Sequence, residues 1–223
     1  MRAPTMRPTP EHPDDPDHSM RREHSAPTSV PAYEPTDLSE PAQVPRDGHA
    51  PEFIDAYHRL SDDIAAHLAV LTVHRGRFDV AVTIDSYLDI SHDPPTMALS
   101  LYDGARIDEA VDEVGTATLN LLSEDQIAVA DRFGTPGNPL PGLFAEVPHR
   151  RSPAGHPILT GALAWFDLKV VARYPAATHA LYVAEVSALG RGEEDQTRHS
   201  IRAAQSSAQP LIRWARRYRR LAP

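Results

Sequence analysis

A short polar run in the middle of the chain carries the side chains best suited to bind a charged ligand. It follows an apolar segment and ends at a Pro-Pro pair, and its polar residues include Thr83, Asp85, Ser86, Asp89 and Ser91. Hydroxyls and backbone amides in such a run can hold a phosphate, whereas carboxylates repel one. A carboxylate about 4 Å from a phosphate oxygen costs on the order of 4 kcal/mol at an effective dielectric of about 20. The affinity of the run for an anion therefore depends on how Asp85 and Asp89 are neutralised.

Two basic side chains near this run are candidates for neutralising it. Arg106 follows the next apolar segment and can pair with a bound phosphate or with one of the aspartates. His92 can do so only when it is protonated. Two other roles remain open for Asp85 and Asp89, because aspartates often cap turns and because two carboxyl groups with separated pKa values can act as an acid and a base.

The hydrophobic period around the run predicts many strands and only short helices. A pattern of apolar residues at helical spacing comes first, and alternating patterns follow it. The expected elements are, in order, an amphipathic helix (53–68), two strands joined by a hairpin turn near Gly76 (70–84), a polar loop, a strand after the Pro-Pro pair (96–102), a short helix (105–114) and a strand (116–122).

The second half of the chain completes a mainly β pattern. Ser123 begins the pattern Ser-x-x-Gln, a capping box for a helix that runs to about Phe133. Gly and Pro then predict an irregular excursion at 134–157, and long alternating segments at 162–174 and 179–189 predict a sheet with one buried face. The expected fold class is mainly β with short helices (α+β), and a closed or partly closed antiparallel barrel is favoured over a doubly wound sheet.

Composition divides the chain into a tail and one domain. Half of the 22 prolines occur by residue 51, and residues 1–50 show no apolar period, which predicts a disordered extension ahead of a single domain at 51–223. The formal net charge of −9 argues against nucleic-acid binding. Because no segment fits a signal peptide or a membrane-spanning helix and cysteine is absent, we expect no membrane association, no disulfides and a cytoplasmic location.

Five motifs in chain order resemble the flavin reductase-like, FMN-binding split-barrel family, whose members are reductase components of two-component flavin monooxygenases. The resemblance covers residues 53–221 and implies a split β-barrel. The motifs are the segment ending in DPP (93–95), LNLLSEDQ (119–126), GALAWFDLKV (161–170), THALYVAEV (178–186) and LIRWARRYRRL (211–221).

The resemblance implies an NAD(P)H:flavin oxidoreductase that binds FMN or FAD as a homodimer and supplies reduced flavin to a partner monooxygenase. NAD(P)H would be the co-substrate, with the catalytic candidate His179 facing the nicotinamide. Asp85 and Asp89 stand where the family typically has Ser or Thr. The other implied flavin contacts are Thr83, Ile84, Ser86 and Ser91 near the phosphate, and Asn120, Leu121 and Ser123 near the ring and ribityl chain.

Simpler roles and other functions are weighed beside these assignments. Ser123 is also explained as a helix cap, and His179 as a structural residue at a strand start. His149 and His156 lack the spacing of metal ligands, and no metal site is expected. The alternative function is a repurposed split barrel with weakened FMN phosphate binding, acting as an isomerase, a cyclase or an accessory protein on another small molecule in specialised metabolism.

Overall fold

Alternating apolar and polar residues make this chain mostly β-strand. The computed structural model describes residues 48–192 and 208–221. Its helices are α1 (Pro51–Ser61), α2 (Arg106–Val114) and α3 (Ile127–Gly134). Its strands are β1 (Ala66–His67), β2 (Ala69–Arg75), β3 (Phe78–Ile84), β4 (Tyr87–His92), β5 (Pro95–Tyr102), β6 (Thr116–Leu121), β7 (His149–Arg151), β8 (Pro157–Leu159), β9 (Ala164–Ala176), β10 (His179–Gly190), β11 (Ile212–Trp214) and β12 (Arg217–Arg219). The predicted fold class is confirmed.

Seven of these strands form one antiparallel sheet in the order β3-β2-β6-β9-β10-β5-β4. Its two edge strands, β3 and β4, are consecutive in the chain and are joined by only Asp85 and Ser86. A flat sheet of this width would separate its edges by about 29 Å, whereas the chain from Ile84 to Tyr87 spans about 11 Å at most. The sheet therefore curls until its edges approach each other, as in a split barrel.

The curled sheet has an inner and an outer apolar layer. Side chains alternate along β2, so Leu71 and Val73 join the barrel interior while Val70 joins the outer layer. Helix α2 contributes to the interior layer, and α3 to the outer one. The outer layer fixes α3 and the residue before β11 close to the polar run, and its largest members are Leu68, Leu122, Phe133, Leu143, Leu159 and Leu211.

Two hairpins follow the sequence prediction closely. β2 and β3 are joined at a turn where Gly76 has a φ of 61°, which glycine adopts without strain. β9 and β10, which are 13 and 12 residues long, pair along most of their length. Trp165 of β9 is only 6% exposed, and its indole N–H donates to the carbonyl of Arg191 at 3.1 Å.

The first helix is shorter and more exposed than the sequence predicts. It ends at Ser61, and two of its apolar side chains, Phe53 and Leu60, are 57% and 71% exposed. Of the residues that would continue its apolar period, Ile64 is exposed, whereas Leu68 is buried in the outer layer, just after the short strand β1. Tertiary pairing overrides helical periodicity here because it buries Leu68, which a longer helix would not.

Two further expectations are wrong in detail. The polar loop is strand β4, because pairing with β5 places Tyr87 opposite Leu99 and against the barrel interior. The helix expected from Ser123 begins at Ile127, because the backbone of Ser123 forms a β-bridge with Pro210. One half of the capping box is present, since the side-chain oxygen of Gln126 accepts the Ser123 N–H at 3.0 Å.

The described residues all fall in one compact unit. The predicted disordered extension lies almost wholly outside the described residues, so it stays a prediction, as does the domain boundary at residue 51. Within the described ranges, no helix has the length and the apolar character that crossing a membrane requires.

A buried histidine joins the small β7–β8 hairpin to the outer face of the sheet. His156 is 1% exposed, its Nδ1 accepts the backbone N–H of His74 at 2.9 Å, and its Nε2 lies 2.9 Å from the hydroxyl of Thr116. Burial lowers the pKa of His156, which favours the neutral ring. Only the neutral ring can accept at Nδ1, because a protonated ring carries hydrogen on both nitrogens.

Acidification should therefore weaken the fold at this site. The pKa of His156 is lower in the folded protein than in the unfolded chain, so below about pH 6.5 the unfolded chain binds more protons than the folded protein. The free energy of unfolding therefore decreases as the pH is lowered. We expect the urea midpoint, followed by circular dichroism, to decline from about pH 7.5 to about pH 5.5. In His156→Asn the decline should be smaller, since an amide oxygen accepts at any pH. An equally steep decline in the variant would contradict this assignment.

Candidate functional site

Arg213 of β11 reaches the polar run and neutralises Asp85. Its Nε and Nη2 atoms lie 2.6 and 2.5 Å from Oδ2 of Asp85, and the hydroxyl of Ser86 donates to Oδ1 at 3.2 Å. The Asp85 side chain is 25% exposed, so solvent screens this pair less than a surface pair. Arg213 is held there because it pairs with Ala66 of β1, just ahead of β2 in the chain.

This ion pair lies in a cleft of about 280 Å³ between the end of β3, helix α3 and the β11–β12 hairpin. The Thr83 hydroxyl donates to the carbonyl of Ala130 at 2.7 Å, which ties α3 to β3. A second cleft, of about 410 Å³, shares Asp131 and Thr135 with the first. The polar side chains that line the first cleft are Thr83, Asp85, Asp131, Thr135, Arg213 and Tyr218.

Tyr218 of β12 is a neutral donor in this cleft. Its hydroxyl donates to Oδ1 of Asp131, and burial together with this bond raises the pKa of Tyr218 to about 12. The cleft thus contains two carboxylates, those of Asp85 and Asp131, and the single guanidinium of Arg213. Among the charged side chains that line the cleft, only that guanidinium attracts an incoming anion.

The other arginines of the hairpin point to other partners. Nε of Arg216 lies 2.8 Å from Asp62 just after α1, and Nε of Arg220 lies 3.4 Å from Glu124. The guanidinium of Arg219 lies 5.4 Å from the ring centroid of Trp214. Arg213, Arg216 and Arg220 of this basic segment therefore each pair with an acid of the described residues.

Tyr87 and His67 lie beside the ion pair. The Tyr87 hydroxyl is buried and has no hydrogen-bond partner within the described residues, and burial together with the charge of Asp85 raises its pKa. The ring of His67 is 6.4 Å from that of Tyr87, and its Nε2 donates to the carbonyl of Leu122 at 2.9 Å. Burial lowers the pKa of His67, so its ring is neutral at pH 7.

Asn120 is fully buried, and its side chain forms hydrogen bonds with backbone groups of the protein. Its Nδ2 donates to the carbonyls of Val70 and Pro157 at 3.2 and 3.3 Å, and its Oδ1 accepts the Leu159 N–H at 2.9 Å. A contact between this side chain and a ligand would require some of these bonds to break. Leu121, the next residue, packs against the barrel interior. Asn120 thus links β2, β6 and β8, and neither residue lines the cleft.

The remaining residues of the polar run lie outside the cleft. Asp89 is exposed, and its Oδ2 lies 3.0 Å from Nε2 of His92. Ser91 is half-buried in β4. Arg106 is exposed at the start of α2 and pairs with neither aspartate, so that part of its expected role is wrong, while a contact with a bound phosphate stays a prediction. It is separated from the run by β5, whereas Arg213 is brought to the run by strand pairing.

His179 begins β10 beside the end of β5. Its Nδ1 is 2.9 Å from the hydroxyl of Thr178, and its ring meets that of Tyr102 edge-on at 5.5 Å. These two contacts fix the ring at the surface without burying it. His179 does not line the cleft of Arg213, so its predicted contact with a nicotinamide stays a prediction.

Sequence reasoning missed several residues of the cleft. Asp131 lies inside a helical pattern, and Tyr87, which lies near Asp85 but does not line the cleft, falls in the segment that the sequence predicts as a loop. Arg213 is 128 positions from Asp85, and no periodicity links residues at that separation. The sequence does indicate that some cation is needed, because the charge of Asp85 has no partner nearby in the chain. It does not indicate that Arg213 is that cation. Among the described residues, no three His, Asp or Glu side chains converge as a metal site.

Comparison with known proteins gives consistent results. Residues 61–222 match the model of the flavin reductase like domain family. The FMN reductase (NADH) RutF of Methylorubrum extorquens is 33% identical over 165 residues, which are 74% of this chain and 77% of that protein. The NADH-dependent flavin reductase StyB of Pseudomonas fluorescens is 31% identical over 158 residues, covering 69% and 82% of the two chains.

A solved structure supports the same fold. The styrene monooxygenase flavin reductase of Pseudomonas putida superposes with a TM-score of 0.61 and 28% identity. The superposition covers 75% of this chain and 97% of that one. The split barrel inferred from the sheet order therefore has a solved counterpart.

Removing the Asn120 amide should destabilise the protein. Asn120→Ala leaves the Leu159 N–H without a partner in a fully buried place and removes one bond to each of the Val70 and Pro157 carbonyls, and we expect a loss of about 2 to 4 kcal/mol in the free energy of unfolding. Thr96→Ala, which removes an exposed bond to the Pro94 carbonyl, should cost about 0.5 kcal/mol or less. Urea unfolding measures both, and equal costs would refute the structural role of Asn120.

Proposed function

The chain belongs to the flavin reductase-like domain family, and on that premise we propose that it is an NADH-dependent flavin reductase. It reduces FMN or FAD with NADH and releases the reduced flavin to a separate flavin-dependent monooxygenase. The observation that carries the proposal is the family match over residues 61–222, a range that contains the cleft of Arg213 and also His179. NADH and FMN are chosen because the similar proteins are named for them.

The charges and donors of the cleft fit a flavin. The repulsion that Asp85 would exert on a phosphate is offset because Arg213 neutralises this carboxylate. The free N–H groups of Arg213 supply donors for the oxygens of a flavin. The reading of the chain as a repurposed barrel that cannot hold a phosphate is disfavoured for the same reason.

A bound flavin supplies the hydride acceptor, so this chain needs neither a strong base nor a nucleophile. Its residues have to bind and orient the two reactants and limit the access of water. We assign His179 to the nicotinamide, where a ring fixed by Thr178 and Tyr102 can hold the carboxamide. Ser86 orients Asp85, which in turn orients Arg213. The cytoplasmic location expected from the sequence stays a prediction.

We also propose that the protein is a homodimer. The edge strand β4 exposes Leu88 and Ile90, which are 55% and 45% accessible. An edge strand with apolar side chains in water invites pairing or coverage by another chain. A second copy is the simplest cover, and it would bring the polar runs of two protomers close to their shared interface.

Activity tests the proposal directly. Purified protein should oxidise NADH, followed by absorbance at 340 nm, at a rate that depends on added FMN. His179→Gln should raise the KM for NADH about tenfold and leave flavin affinity unchanged, because the lost contact is to the nicotinamide. His92→Gln, at an exposed histidine of β4, is the matched control and should behave as wild type. No turnover and no flavin binding in the wild-type protein would end the proposal.

The proposed dimer can be tested separately from the activity. Leu88→Asp places a charge on the exposed edge strand and should convert the dimer to a monomer in sedimentation velocity at micromolar protein concentration. Leu189→Asp changes a similarly exposed leucine of β10 and should leave the mass unchanged. A monomeric wild-type protein would refute the assignment of this surface.

A further inference from the structure

The cation beside Asp85 comes from the C-terminal hairpin, although the ligand site was expected in the polar run. We propose that Arg213 binds the phosphate of the flavin and thereby makes the protein select phosphorylated flavins over riboflavin. The inference rests on the proposed function and concerns the same cleft. It assigns the selectivity to one residue that lies outside the polar run.

Arg213 has donors left for a ligand. A guanidinium carries five N–H groups, and the two contacts to Asp85 use one on Nε and one on Nη2. Nη1 has no partner among the described residues, and the side chain is 38% exposed. A phosphate entering the cleft can therefore accept from Nη1 and from the second hydrogen of Nη2. Both donors lie on the same edge of the planar group, as paired acceptance by a phosphate requires.

Asp85 holds the guanidinium of Arg213 in a more fixed position than an unpaired arginine would have. Both contacts go to one oxygen, Oδ2, while the hydroxyl of Ser86 holds the other oxygen. The guanidinium is thus fixed before the ligand arrives, and less side-chain entropy is lost on binding. The same carboxylate also lowers the net attraction for a phosphate, so Asp85 orders the site but weakens it electrostatically.

No other arginine in the described part of the chain lines this cleft. Arg132 lines the neighbouring cleft, but it donates to the carbonyls of Leu143 and Gly142 at 2.7 and 3.0 Å. Asp131 adds a second negative charge, and its partner Tyr218 is neutral. Loss of Arg213 would therefore leave Asp85 and Asp131 as the charged side chains that line the cleft, and both repel a phosphate.

The test compares two ligands that differ by a phosphate. Calorimetric titration of FMN and riboflavin should show that Arg213→Gln weakens FMN binding about 10- to 100-fold and changes riboflavin binding by about twofold or less. Asp85→Asn should tighten FMN binding about tenfold without affecting riboflavin. In the Asp85→Asn background, adding Arg213→Gln leaves no unpaired carboxylate at position 85 and should still weaken FMN binding selectively.

Arg216→Gln is the matched control, because it breaks another ion pair of the same hairpin, to Asp62, and does not line the cleft. It should leave both affinities unchanged, and a thermal melt of each variant checks folding. Equal weakening of FMN and riboflavin by Arg213→Gln, or no change in either, would overturn the inference while the reductase function stands. A wild-type protein that binds neither flavin would remove the proposed function and this inference together.

Discussion

The two-residue link between β3 and β4 is the constraint on which the rest of the structure depends. Because Asp85 and Ser86 join opposite edges of a seven-stranded sheet, the sheet must curl, and its curling creates an interior that α2 helps to fill. The link cannot be covered by either sheet edge. It is therefore a stretch of the barrel where polar, partly exposed residues lie beside the packed core.

The C-terminal hairpin packs beside the link between β3 and β4. β11 pairs with β1, and the bridge between Ser123 and Pro210 brings the chain back beside the end of β6. Leu211 anchors the hairpin in the outer layer, where it is fully buried. Apolar burial thus positions the hairpin, and the ion pairs of Arg213, Arg216 and Arg220 then set its charges against acids of three different segments. Apolar burial has to position the hairpin, because exposed ion pairs alone contribute little stability.

Much of the fold can be predicted from the sequence because the patterns that indicate it are local. The β2–β3 hairpin, helix α2 and the paired strands β9 and β10 each carry their period and turn residues within one segment. The errors arose where a distant partner decides the outcome. β4 looks like a loop until β5 pairs with it, and Ser123 looks like a helix cap until Pro210 bridges it. The charge problem at Asp85 was visible in the sequence, but its solution at Arg213 depends on the three-dimensional arrangement.

The two tryptophans of the chain occupy contrasting places, and this gives the molecule built-in optical probes. Trp165 is buried in β9 with a fixed hydrogen bond, whereas Trp214 is 43% exposed beneath Arg219. Trp214 is also the immediate neighbour of Arg213. Emission from the two indoles therefore differs in colour and in access to soluble quenchers, so the hairpin and the barrel can be followed separately without adding a label.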